Sequence, residues 1–310
     1  MQRLLRTIGQ FLFPPDSDQW LTILRVGLGL QLILYAISLS DDWFFLFGSG
    51  QGSLNRQLAE AVLSGESNLT PRLGWLVALG SHIGVAETTT LSLVWVSLIA
   101  LGACLAIGLF CRPCAILAWF LHLATVRSGL LFSYGVDNFT TIGLFYLVIA
   151  PFPDKWSLDH RLWPGAAAAP ERLGFHRRLL QIHLCIIYFF GGISKAVSHD
   201  WWNGDNMWRV LTRAPFDVIP IDLVIQFRHL LPLAGSVVCI LESAYPIFIW
   251  PKRTRPFWLA GILLLHLGIG AAMGLYLFAS IMLILNLAGF GNELLARGIA
   301  LVRSIRRRPV

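Results

Sequence analysis

The sequence predicts an all-α membrane protein, a polytopic bundle of about eight transmembrane helices with both termini cytoplasmic. Three observations lead there. The 310 residues are 56% hydrophobic and only 13% charged, far from a soluble globular average. Apolar stretches near the 20 residues needed to cross a bilayer recur along the chain. The basic residues are distributed unevenly between the segments that join those stretches.

The elements follow in order. Arg3 and Arg6 open the chain. FLFPPDSDQW then reads as an interfacial segment, with Pro14 and Pro15 preventing a regular helix. The first span is about 20–40, with Arg25 one turn inside it. Residues 41–90 read as mostly loop with short amphipathic pieces such as Leu54 to Leu63. Spans at about 91–110 and 115–132 flank a CRPC turn, and SYGVDN connects to a span at 139–150. PFPDKWSLDHRLWPGAAAAPERLGFHRR is rich in Pro, Ala and basic residues and reads as a surface linker. A fifth span covers 179–197, and a long loop runs to Pro232. A sixth covers 233–250. Residues 257–290 are too long for one span, and Gly268, Gly270 and Gly274 offer a break near Met273, giving spans at 257–271 and 275–290. The tail RGIALVRSIRRRPV is basic.

This layout places sixteen Lys and Arg on the cytoplasmic side against five outside (Arg56, Arg72, Arg209, Arg213 and Arg228). Arg25, Arg127 and Lys195 fall within spans. The bias agrees with the positive-inside rule and puts Lys195 near the outer face. It also accounts for the net charge of +7 without a nucleic-acid partner. Met1 to Trp20 has no apolar core followed by a small-residue cleavage site, so the first span is expected to be retained. The whole chain, 1–310, then forms one transmembrane domain.

Five cysteines lie in or beside apolar stretches and form no secreted disulfide framework. Cys111 and Cys114 make a C-x-x-C. Without a thioredoxin-like βαβ pattern around it, the pair reads as two small residues at a turn rather than a redox couple. His176, His183 and His199 lack ligand spacing, so no metal is expected. No G-x-S-x-G, H-E-x-x-H or P-loop occurs.

The most informative stretch is QIHLCIIYFFGGISKAVSHDWWNGDNMWRVL, residues 181–211. An ammonium in hydrocarbon costs about 3 kcal/mol on insertion scales, so Lys195 near the end of an apolar helix is a functional candidate. Gln181, Tyr188 and Lys195 recur every seven residues and share a face, and Gly191 leaves space on it. Against this, a lysine near a helix end can snorkel into the headgroups, and the Gly191–Gly192 pair can serve helix packing. Trp201, Trp202 and Trp208 form an interfacial belt or roof an aromatic ligand site. Arg25, Arg127, Glu242 and His266 also fall within spans. Together they point to a polar cavity inside the bundle. A lysine kept from water can act as general base, with Glu242 orienting His266 or Arg25. If Glu242 pairs directly with Lys195, the lysine instead anchors an anion. The sequence leaves these pairings open.

At these residues the chain resembles the transmembrane domain of vitamin K-dependent gamma-carboxylases. It is closer still to bacterial proteins that share that domain, called HTTM (horizontally transferred transmembrane domain) proteins. The resemblance covers nearly the whole chain. It is carried by LRVGLGLQL around Arg25, GLFCRPC around Arg112, KWSLD at Lys155 to Asp159, and FFGGISKAVSHDWWNG, the most specific. The interval from Glu242 to His266 is similar to the family's acidic residue and later histidine. The resemblance implies a bacterial inner-membrane enzyme acting on a quinol- or lipid-like substrate. Lys195 would be its base, Glu242 and His266 its other catalytic residues, and Tyr188, Gly191, Gly192, Trp201, Trp202, Arg25 and Asn138 its substrate-binding residues. A reduced quinone resembling vitamin K hydroquinone, with O2 and CO2, would be the implied cofactors. Val136, Asp137 and Asn138 stand where the carboxylases have a histidine, in the bacterial pattern. The chain also ends soon after the last span, so carboxylation of a protein substrate is expected to need a partner chain. The alternative is a non-catalytic accessory protein that binds a peptide or lipid, for instance in maturing an exported peptide. Membrane lipid is a partner in either case.

Overall fold

A computed structural model describes residues 2–50, 56–67, 69–129, 132–165 and 168–292. Among these residues the chain is helical throughout, with no strand. Eight longer helices are labelled here in chain order: α1 (Gln19–Ser38), α2 (Glu87–Ile107), α3 (Cys111–Ser128), α4 (Gly135–Ile149), α5 (Pro170–Ala196), α6 (Leu231–Ser243), α7 (Arg255–Met273) and α8 (Tyr276–Phe290). Four of them, α1, α2, α5 and α7, are long and apolar enough to cross a membrane. Their outward faces carry apolar side chains, such as Leu30, Leu34 and Ile37 on α1, a stripe at helical spacing suited to lipid. The basic tail lies outside the described residues. The chain divides into two compact units, Leu21–Ala169, and Met1–Trp20 with Pro170–Val310.

In the Leu21–Ala169 unit, α1 and α2 cross at glycines. A Cβ on Gly29 would lie 2.6 Å from the Gly102 carbonyl oxygen, and a Cβ on Gly102 would lie 2.7 Å from that of Gly29. Only hydrogen fits at such a crossing, the small-residue packing common between membrane helices. The fully buried Arg25 ties the unit together. Its Nε donates to Asp154 Oδ2 at 2.6 Å, and its Nη1 donates to the carbonyls of Leu105 and Ala106 at 2.6 and 2.9 Å. A cation there also meets the negative end of the α2 dipole. Asp159 caps the next helix, accepting from Phe110 N and Cys111 N, both at 2.7 Å. The CRPC turn is therefore the first turn of α3.

One expectation about this unit is corrected. Residues 41–90 are not mostly loop. They hold helices Trp43–Phe47, Arg56–Glu66 and Leu73–His82, and α2 starts at Glu87. Their charges are used internally. Arg56, 5% exposed, donates to Phe47 O and Glu87 Oε1, and Glu60 Oε1 accepts from Gly74 N and Ser128 Oγ. Of the piece expected at Leu54 to Leu63, residues 54 and 55 lie outside the described residues.

In the other unit, the N-terminal arginines belong to an amphipathic helix, Gln2–Leu12, that stops before Pro14. The last third of the expected linker is not surface coil either, because α5 begins at Pro170. Arg177 pairs with Asp16 at 2.6 Å, and the Arg178 guanidinium lies over the rings of Phe11 and Trp250 at 4.5 and 4.8 Å. The loop expected to run to Pro232 contains helices His199–Trp202, Asp205–Thr212 and Ile221–Gln226. Helix α6 stops at Ser243 and resumes as Tyr245–Phe248. Pro246 lacks the N–H that would bond the carbonyl of Glu242, so the helix stops one residue past Glu242. The break near Met273 falls at Gly274, whose φ of +70° favours glycine.

Candidate functional site

The site lies in the second of these units. Lys195 occupies the last turn of α5, where a cation complements the helix dipole. Glu242 comes from the end of α6 and His266 from the middle of α7. Helices α5 and α6 approach closely because position 192 is glycine. A Cβ there would stand 2.3 Å from Ser243 N. That approach brings Lys195 Nζ to 2.5 Å from Glu242 Oε2. Nζ also donates to Gly191 O at 3.3 Å and sits 5.6 Å from the Trp201 ring centroid. The Glu242 side chain is 9% exposed and that of Lys195 is 26% exposed. Any side chain at Gly191 would point at this pair, 3.4 Å from the carboxylate and 3.7 Å from the amine.

A cavity of about 770 Å³ opens beside the pair. Lys195, Glu242 and His266 are the charged and titratable residues in its wall. The remaining wall is apolar, with Val238, Leu265 and Phe278 among its residues. The size is in the range of small-molecule sites, as is the lining of apolar surface with a few converging polar groups. Val237 and Leu264, both on this wall, are 51% and 67% exposed, so the cavity reaches the outward apolar faces of α6 and α7.

Behind His266 runs a buried chain of hydrogen bonds. Its Nε2 is 2.8 Å from Tyr188 Oη. Asn286 Nδ2 donates to that oxygen at 2.7 Å and to Met282 O at 2.8 Å, while Tyr245 Oη donates to Asn286 Oδ1 at 2.8 Å.

The structure thus joins Lys195, Glu242, His266, Tyr188, Gly191 and Trp201 in one neighbourhood. It assigns the other expected residues elsewhere. Gly192 serves helix packing, and Trp202 is exposed, its Nε1 donating to Ala196 O at 2.7 Å. Arg25 and Asn138 belong to the other unit, Arg25 in its clamp and Asn138 exposed in the first turn of α4. Arg127 lies in the last turn of α3. Tyr245 and Asn286 were not anticipated. An amide inside the apolar run of α8 was the signal available for the second. His122 in α3, fully buried and 3.0 Å from Thr141 Oγ1, was also passed over.

The fold and site define a class, a multi-helical membrane protein with an ion pair and a histidine in the wall of an apolar cavity. Residues 77–290 match the model of the HTTM domain, and the chain belongs to that family. It is accordingly a membrane-embedded protein, related to the transmembrane domain of the carboxylases, with apolar helices in contact with lipid. No curated protein and no solved structure matches it.

Proposed function

We propose that this chain is a bacterial inner-membrane enzyme with about eight spans and both termini cytoplasmic. In this reading it takes a quinol- or lipid-like molecule into the cavity beside Lys195. The observation that carries the reading is the Lys195–Glu242 pair set in the wall of an otherwise apolar chamber. Ionisable groups in apolar surroundings of a membrane protein are costly and mark substrate sites. The apolar wall suits a long hydrocarbon tail, and exposed Val237 and Leu264 suit passage from the bilayer.

Paired with Glu242 as an ammonium, Lys195 has no lone pair to offer a substrate. Lys195 acts as base only once Glu242 has taken a proton from it, so the two side chains work as one acid–base unit. Such a unit can deprotonate a hydroxyl placed between it and His266. Were the ligand a reduced quinone, Lys195, Glu242 and His266 would receive its oxygens and the apolar wall its tail. When bound with O2 and CO2, it would supply the oxidative chemistry of the carboxylase relatives. A partner chain would present any protein substrate.

The experiment is turnover of a reduced quinone under O2 by protein in lipid nanodiscs. Lys195→Gln, which can still donate to Glu242, is expected to abolish turnover without lowering thermal stability by more than a few degrees. Full activity in that variant refutes the role of Lys195. The second reading is a non-catalytic protein that anchors the polar or anionic end of a lipid or peptide. It is favoured by the fact that Lys195 is already paired, an arrangement that stabilises the ammonium. It predicts retention of a ligand with no turnover.

A further inference from the structure

The hydrogen-bond chain behind the cavity has a direction, and that direction fixes what His266 offers a ligand. The Met282 carbonyl can only accept, so the Asn286 atom 2.8 Å away is the amide nitrogen. The amide oxygen then faces Tyr245 and accepts from its hydroxyl at 2.8 Å. The same amide nitrogen donates to Tyr188 Oη at 2.7 Å. The Tyr188 hydroxyl has one proton of its own, and its remaining neighbour is His266 Nε2 at 2.8 Å. A proton on Nε2 would leave both the Tyr188 hydroxyl proton and the Nδ1 lone pair unmatched, whereas a proton on Nδ1 leaves only that N–H, and each unmade buried bond costs about 1–3 kcal/mol, so Tyr188 donates to Nε2. Nε2 is therefore the acceptor, and in the neutral ring the proton sits on Nδ1. His266 is 3% exposed and lines the cavity, and its Nδ1 is covered and has no partner among the described residues.

We propose that His266 carries its proton on Nδ1 as a hydrogen-bond donor at the cavity wall, and that a shift of the side chains covering it admits its partner, an acceptor oxygen on an apolar ligand, a carbonyl or a hydroxyl. His266 is then not the base of the site. Tyr188, Asn286 and Tyr245 are positioning residues that lock its tautomer. The Lys195–Glu242 pair has no net charge, which suits an uncharged polar end on the ligand. The ligand half of this inference rests on the cavity being a binding site, as in the functional reading above. The tautomer half does not.

The test is nitrogen NMR on protein carrying labelled histidine in lipid nanodiscs, with the His266 signal assigned by its loss in His266→Gln. The expected result is a neutral ring protonated at Nδ1. Tyr188→Phe removes the donor to Nε2 and is expected to shift the population toward the Nε2-protonated form. A wild-type ring protonated at Nε2, or a Tyr188→Phe spectrum identical to wild type, overturns the donor assignment, whatever is found about turnover. Addition of menadione, an uncharged carbonyl-bearing probe, is expected to move the Nδ1–H resonance. An unmoved resonance at the solubility limit of the probe overturns the ligand half alone. Absence of quinol turnover with the expected spectra would instead refute the enzymatic reading and leave this one standing.

Discussion

Replacing Asp154 with Ala leaves a buried cation without its counter-ion. Arg25 is 1% exposed and Asp154 is fully buried. The substitution removes the acceptor of Arg25 Nε at 2.6 Å and of Nη2 at 3.2 Å, and leaves the Thr22 hydroxyl without its 2.7 Å partner. The two carbonyl contacts of Nη1 remain. Breaking one side of such a pair costs about 3–5 kcal/mol, because the surviving charge is desolvated and unmatched. At roughly 2–4 °C per kcal/mol, Tm should fall by about 6–20 °C. The assay is thermal unfolding in nanodiscs followed by tryptophan fluorescence. Combining Asp154→Ala with Arg25→Met should cost less than the sum of the two single changes, by at least about 1 kcal/mol, since the double variant buries no lone charge. A Tm within about 2 °C of wild type for Asp154→Ala, or strict additivity in the cycle, would refute the view that Arg25 holds the fold together.

Other outcomes follow from the same contacts. Gly102→Leu drives a side chain into the backbone and side chain of α1, so it should destabilise by about 1–3 kcal/mol, read as a lowered Tm. Gly192→Leu should separate α5 from α6 and lose bound ligand together with stability, whereas Gly191→Ala, whose Cβ makes ordinary contacts, should leave Tm near wild type. Cys111 and Cys114 are free and buried, so maleimide should label them only after unfolding. The Cys111→Ser, Cys114→Ser double variant should keep its function, and loss of function in a folded double variant would revive a redox role for the C-x-x-C.

Helices were legible in the sequence where apolar runs were long, as at α1, α2 and α7, because burial in lipid needs no knowledge of partners. The helices between α1 and α2 were not. Their charged residues suggested solvated loop, yet Arg56, Glu60 and Glu87 satisfy one another and the Phe47 carbonyl inside the protein. Arg25 was grouped with Lys195 because both are charges within apolar segments. Its partner Asp154 sits in a stretch whose composition reads as surface linker, and no local pattern announces that pairing. The same clamp explains three of the segments that carry the family resemblance. Arg25, the Phe110–Cys111 turn, and Asp154 with Asp159 meet in one architectural knot. At the site, helical spacing put Tyr188 and Lys195 on one face correctly. The choice of Glu242 as partner for Lys195 depended on a helix crossing at Gly192, which spacing does not encode.

We propose that the chamber beside Lys195 holds an apolar molecule by its polar end. Native mass spectrometry of protein released from its own membrane tests this most directly, with wild type set beside Ala272→Phe, which fills the cavity from its wall. The expected result is a bound small molecule in wild type and its loss in the filled variant at unchanged thermal stability. A wild-type protein that carries nothing, or a molecule retained equally by Ala272→Phe, would contradict the account.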